Sequence, residues 1–130
     1  PELYRRYALP YEKRMVEAAH RAGALVKLHI CGNTTPLLAD IARLHVDIFD
    51  VDSMVNFAQA EAALRGISSV CGNLNPVETL LRGTPEQIRD AVAQCLRDGG
   101  DRCLISGGCE TPPFTPVENH LALDRALWIG

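Results

Sequence analysis

The chain has 130 residues, of which 47% are hydrophobic and 22% charged, and its formal net charge is -3. That size allows one domain with a modest core, and the mixed, slightly acidic charge offers no broad basic field for a phosphate backbone, which argues against a nucleic-acid partner. No apolar run approaches the roughly 20 residues of a membrane-spanning helix, and the start, Pro1-Glu2-Leu3-Tyr4, lacks the charged segment and apolar stretch of a secretory signal.

Residues Glu2 to Arg21 read as helix, interrupted near Pro10, whose ring removes a donor and clashes with the preceding turn. Tyr11, Met15, Val16 and Ala19 fall at helical spacing, and Gly23 ends the pattern. Ala24 to Ile30 reads as a strand. Thr34 or Thr35 can cap a helix to about Leu44, with Leu37, Leu38, Ile41 and Leu44 on one face. Val46 to Phe49 is a short strand, and Phe57 to Leu64 is a helix closed by Gly66. Ile67 to Cys71 is a third strand, followed by the turn Gly72-Asn73-Leu74-Asn75-Pro76 and a short helical piece. Thr84-Pro85-Glu86-Gln87 starts the next helix, with Thr84 as N-cap and Gln87 completing a capping box. That helix runs to Arg97. Arg102 to Ser106 is a fourth strand, and a Pro-rich loop leads to a last helix from about Val117.

Four strands, each followed by a helix, imply an α/β fold with a parallel sheet and right-handed crossovers. No Gly-x-Gly-x-x-Gly follows the first strand, so a dinucleotide fold is not indicated. Polar and Gly-rich residues instead cluster just after every strand, where a (β/α)8 barrel carries its active site. A full barrel takes roughly 250 residues and eight such units, so four units are half of one. Half a barrel leaves two sheet edges and an inner face open, and such edges invite pairing. The expectation is that an N-terminal half exists in the native protein or that two copies associate. The absence of an initiator Met suits either a processed chain or a piece of a longer one.

The five cysteines, Cys31, Cys71, Cys95, Cys103 and Cys109, are an odd number, which speaks against a disulfide framework and for a reducing cytoplasm. Cys95 and Cys103 read as core, and Cys71 as buried or pocket-lining. His29-Ile30-Cys31-Gly32 ends the first strand. Residues two apart in a strand point to one side, and zinc bonds of about 2.0–2.3 Å to nitrogen and sulfur let one ion bridge them. Ser106-Gly107-Gly108-Cys109-Glu110 offers a third ligand, Cys109, at the end of another strand. Three protein ligands leave one tetrahedral position open, as in catalytic zinc sites. A thiol bound there would be held as thiolate at neutral pH. Spacing alone favours the plainer reading, a hydrogen-bonded histidine beside a buried thiol.

Three blocks shift that balance. Leu28-His29-Ile30-Cys31-Gly32-Asn33-Thr34, Gly72-Asn73-Leu74-Asn75-Pro76 and Gly107-Gly108-Cys109-Glu110-Thr111-Pro112-Pro113 resemble those of the uroporphyrinogen decarboxylase superfamily. More narrowly they resemble its methylcobalamin:coenzyme M methyltransferase branch. The resemblance covers nearly the whole chain, placed as the C-terminal half of the family's barrel (residues 1–130). It implies zinc on His29, Cys31 and Cys109. It also implies transfer of a methyl group from a methylated corrinoid, carried by a partner protein, to a small thiol such as coenzyme M. The porphyrinogen decarboxylases of the same superfamily use no metal and lack this ligand set.

The remaining site candidates carry two readings each. Asp52 can line the mouth and orient a zinc ligand, or serve as a turn carboxylate. Glu110 can fill the fourth zinc position, or stand as an exposed loop acid. Asn73 and Asn75 sit where the resemblance places the pocket, or simply shape the turn before Pro76. Arg5, Arg6, Lys13 and Arg14 read as a solvated helix face, and His20 and His45 as structural residues near helix C-termini. Two further functions compete with methyl transfer. One is a metal-free tetrapyrrole decarboxylase, which would want arginines near the strand ends for substrate carboxylates. The other is a non-catalytic half-barrel that completes no active site.

Overall fold

A computed structural model describes residues 1–128. Helices α1 (Glu2–Tyr7) and α2 (Leu9–Arg21) lead into strand β1 (Lys27–Ile30). A 3-10 turn (Thr35–Leu37) and α3 (Leu38–Ala42) connect to β2 (Ile48–Val51). After α4 (Phe57–Leu64) come β3 (Ser69–Leu74) and a π-helical turn (Pro76–Leu81). Helix α5 (Pro85–Gly99), β4 (Cys103–Gly107) and α6 (Val117–Ala126) complete the order. The strands form one parallel sheet in the order β1-β2-β3-β4. This is the expected run of four βα units that makes half of a (β/α)8 barrel.

Local chemistry explains most of the boundaries. The break between α1 and α2 falls at Ala8, and Pro10 lies in the first turn of α2. There its missing N–H has no intrahelical partner to lose, so the proline starts the second helix rather than ending the first. The capping box at Thr84 and Gln87 forms as expected, with both reciprocal bonds present. Neither Thr34 nor Thr35 caps through its side chain. Asn33 Oδ1 instead accepts from the Thr35 backbone N–H at 3.1 Å, while Thr34 is buried.

The second and third strands begin two residues later than their apolar runs suggest. Val46 is fully buried but lies in the turn after α3. Pairing starts only where β1 can supply partners, at Lys27↔Ile48, and passes on to Ile48↔Ser69. Apolar runs report burial, and ladder bonds require a neighbour.

The core lies on one side of the sheet, between strands and helices. Phe49, Val51, Val70 and Leu74 face Ile41, Leu64, Leu80, Ile88 and Val92 in one buried cluster. The alternate positions point to the other side. Lys27 Nζ meets Asp50 Oδ2 there at 2.8 Å, and Cys71 Sγ lies 3.2 Å from Ser106 Oγ. Parallel strands covered on both faces read as continuous apolar runs. Here polar and apolar residues alternate, because only one face carries helices. The second face is the one a closed barrel would enclose, and it ends at His29, Cys31 and Cys109.

Candidate metal centre

His29, Cys31 and Cys109 converge at the C-terminal ends of the strands, with their ligand atoms all within 4.8 Å of one another. His29 belongs to β1 and Cys31 follows it directly. Gly32, at φ 90°, turns the chain away with a backbone angle that favours glycine. His29 Nδ1 lies 3.0 Å from the Asp50 carbonyl oxygen. A carbonyl only accepts, so Nδ1 carries the proton and Nε2 presents its lone pair. That nitrogen is 3.3 Å from Cys31 Sγ.

Cys109 reaches the group by a longer route. β1 and β4 are the outer strands of the sheet, and parallel neighbours are spaced about 4.8 Å apart. The segment after β4 must therefore cross the ends of β3 and β2. The Gly108 N–H donates to the Leu74 carbonyl at 2.7 Å, at the end of β3. A Cβ on Gly108 would stand 2.4 Å from the Ser53 backbone nitrogen, in the turn after β2. Only glycine passes so close. The crossing brings Cys109 Sγ to 3.7 Å from Cys31 Sγ.

Asp52 ties the turn after β2 to the first ligand loop. It is 7% exposed; Oδ2 accepts from the Gly32 N–H at 2.8 Å, and Oδ1 from the Met54 N–H at 2.9 Å. One turn thus holds Gly32 through a carboxylate and Gly108 through contact with Ser53. The Asp52 side chain reaches the backbone beside Cys31 and also closes its own turn on the Met54 N–H, so the orienting reading and the turn reading each have a contact.

The donor set suits a soft, thiophilic cation. Tetrahedral zinc with bonds of about 2.0–2.3 Å places its ligand atoms roughly 3.3–3.8 Å apart; two of the separations here are 3.3 and 3.7 Å, and all lie within 4.8 Å. The hydrogen bond that the protonated Cys31 thiol makes to Cys109 Sγ, and then the charge of Cys109, hold the Cys31 thiol above its ordinary range. Two thiolates this close repel unless a cation lies between them. Cys31 is exposed and His29 and Cys109 are partly so, leaving one side of the group open to a further ligand.

The other candidates lie elsewhere. Glu110 is exposed and outside the converging group. Asn73, expected at the pocket, points to the helix layer: its Nδ2 donates to the carbonyls of Asp52 and Val55 at 3.3 and 2.6 Å, and its Oδ1 receives the Cys95 thiol. Asn75 Oδ1 accepts from the Val77 and Glu78 N–H groups and caps the π-helical turn. Both asparagines therefore take up backbone groups, as the turn reading has it. Cys71 and Cys95 are buried, and Cys103 is partly so.

Sequence reasoning missed three contacts. Lys27 pairs with Asp50 beneath His29. Arg5 is no free surface charge, because its Nε lies 2.7 Å from the buried Asp40 carboxylate. Asp47 Oδ2 accepts from the Val26 N–H and meets His20 Nε2 at 2.9 Å. All three join residues at least 20 positions apart. Nothing in the local pattern could have paired them.

A half-barrel sheet with a His/Cys/Cys group at its carboxyl ends defines the class: an α/β chain of barrel type with a prospective metal centre at the mouth. The profile of the uroporphyrinogen decarboxylase (URO-D) family matches residues 1–127, and the chain belongs to that family. The methylcobamide:CoM methyltransferase MtbA of Methanosarcina mazei is 37% identical over 118 residues, 91% of this chain and 34% of that protein. A methylated-thiol–coenzyme M methyltransferase of the same organism is 30% identical over 125 residues, 96% of this chain and 32% of its own length. A uroporphyrinogen decarboxylase of a Synechococcus species is 35% identical over 121 residues, 92% and 34% of the two chains. A solved methyltransferase from Methanosarcina mazei superposes with a TM-score of 0.88 at 26% identity, covering 97% of this chain and 36% of that one. The chain thus spans about a third of the length of the relatives it matches.

Proposed function

We propose that this chain is the C-terminal, metal-carrying half of a corrinoid-linked methyltransferase, in which zinc on His29, Cys31 and Cys109 activates a small thiol acceptor. The observation that carries this reading is the convergence of one imidazole nitrogen and two thiols, 3.3 and 3.7 Å apart, with an open side. Bound there, zinc would lower the pKa of an incoming thiol and hold it as the thiolate nucleophile. The methyl group would come from a methylated corrinoid on a partner protein, and the acceptor would be a thiol of the coenzyme M kind named for the similar methyltransferases.

The chain's own residues supply position. Asp50, through its carbonyl, sets the His29 tautomer. Asp52 holds the turn beside Cys31, and Gly108 lets the Cys109 loop lie across the sheet end. Glu110, exposed and next to Cys109 in the chain, would approach an acceptor bound there. The inner face and the free edges of β1 and β4 support closure by a complementary N-terminal half, with a second copy of the chain as the alternative. No helix among the described residues is long and apolar enough to cross a membrane.

The metal-free decarboxylase reading finds less support. Arg43, Arg65 and Arg82 pair with Asp40, Glu61 and Glu78 on or beside their own helices, away from the strand ends. The test is zinc content per chain in protein purified without added metal. About one equivalent in the parent, largely lost in Cys109→Ser, is expected, followed by thiol methylation with methylcobalamin in the closed barrel. A folded parent without zinc would remove the metal reading.

A further inference from the structure

The two thiols of the centre are 78 positions apart in the chain yet 3.7 Å apart at sulfur. A closure of roughly 1.7 Å would bring them to the disulfide length of about 2.05 Å. Both cysteines lie just beyond strand ends, Cys31 beside Gly32 and Cys109 after Gly107-Gly108, so neither side chain is held in the ladder. Cys31 is exposed, so an oxidant in solvent reaches it directly. The other three cysteines have different surroundings: Cys71 faces Ser106, Cys95 faces Asn73, and Cys103 faces the Gly100 carbonyl.

We infer that Cys31 and Cys109 form a redox-modification site, a dithiol that hydroperoxides convert reversibly to a disulfide. In the first step Cys31 sulfur attacks one peroxide oxygen and the O–O bond breaks. This yields the Cys31 sulfenic acid and releases an alcohol, or water from hydrogen peroxide. In the second step Cys109 sulfur attacks the sulfenic sulfur, the S–O bond breaks, and water leaves with the Cys109 proton. The two thiols together give up two electrons and the peroxide takes them. A dithiol reductant reverses the change by exchange. The disulfide leaves His29 as the one remaining donor of the set, so oxidation would release a metal held there and reduction would restore the site. The inference stands on the thiol geometry and does not require that the metal be zinc.

The test uses the full chain, reduced and then exposed to hydrogen peroxide. Free thiols should fall by two from the five present, the intact mass should drop by two hydrogens, and peptide mapping should join the Cys31 and Cys109 peptides. Dithiothreitol should return all of these to their starting values. Cys31→Ser should lose the cross-link entirely. A thiol count that does not change, a cross-link through Cys71, Cys95 or Cys103, or a Cys31 that proceeds to sulfinic acid without bonding would each overturn the proposal. Zinc is measured separately in the reduced sample. A chain that takes no zinc but still forms the bond would end the metal reading and leave this one intact.

Discussion

At the scale of single residues, the His29, Cys31 and Cys109 group is positioned by neighbours outside it. Asp52 uses one oxygen on the Gly32 N–H and the other on the Met54 N–H. Asparagine has one acceptor oxygen, so Asp52→Asn turns one of these contacts into a donor facing a donor, which costs about 1–3 kcal/mol at a buried site. Outer residues that orient ligands change metal affinity by about 10–100-fold. Asp52→Asn is therefore expected to weaken zinc binding by that order while the far-ultraviolet circular dichroism stays native. A competition titration against a chromogenic chelator measures it, and unchanged affinity would reduce Asp52 to a turn residue. Part of this was legible from the chain. His29 and Cys31 are two apart on one strand, so their common side follows from strand geometry. Asn73 and Asn75 carried two readings because a loop residue next to a pocket can face either layer. Only the positions of the Val55 carbonyl and the Val77 N–H show which layer each side chain serves.

At the scale of elements, a network of carboxylates ties helices to strand starts. Asp47 accepts from the Val26 N–H at 2.7 Å and meets His20 of α2, fastening the entry of β1 to that of β2. The Val26 bond first, and the His20 bond second, hold its carboxyl below the ordinary 3.8. A carboxyl with a depressed folded pKa adds stability above its unfolded pKa and loses it as pH falls through the folded value. Asp47→Ala should thus lower the melting temperature at pH 7, and the gap from the parent should narrow at pH values below about 4. Thermal melts of both proteins across that range check the sign, and a gap independent of pH would show that the carboxylate charge contributes nothing. The helices themselves were readable, because capping and apolar period are local. The capping box at Thr84 formed where its four residues announced it, whereas the start of β2 was displaced because it depends on β1.

At the scale of the whole molecule, the sheet has a helix-covered side and an uncovered one. Leu104 is 45% exposed on the uncovered side, level with Cys71, Asp50 and His29 in the strand register. Among the described residues, the β1 and β4 edges have no further strand beside them. Unpaired edges next to accessible apolar surface promote association. The chain expressed alone should show concentration-dependent association in sedimentation velocity. A barrel completed by its N-terminal half should sediment independently of concentration. A half that stays monomeric at high concentration would mean that its edges are protected by some other device.

The order of βα units, the capping box at Thr84 and the identity of the candidate donors were determined by the sequence itself, since each depends on neighbours within a few positions. Resemblance carried the ligand set further than spacing could. The tertiary structure alone decided the distances. Cys31 and Cys109 come within 3.7 Å because the register of four strands, the close passage of Gly108 over Ser53 and the grip of Asp52 on Gly32 act together. No local pattern encodes a separation between residues that distant in the chain, because it is set by how the whole sheet is stacked and crossed.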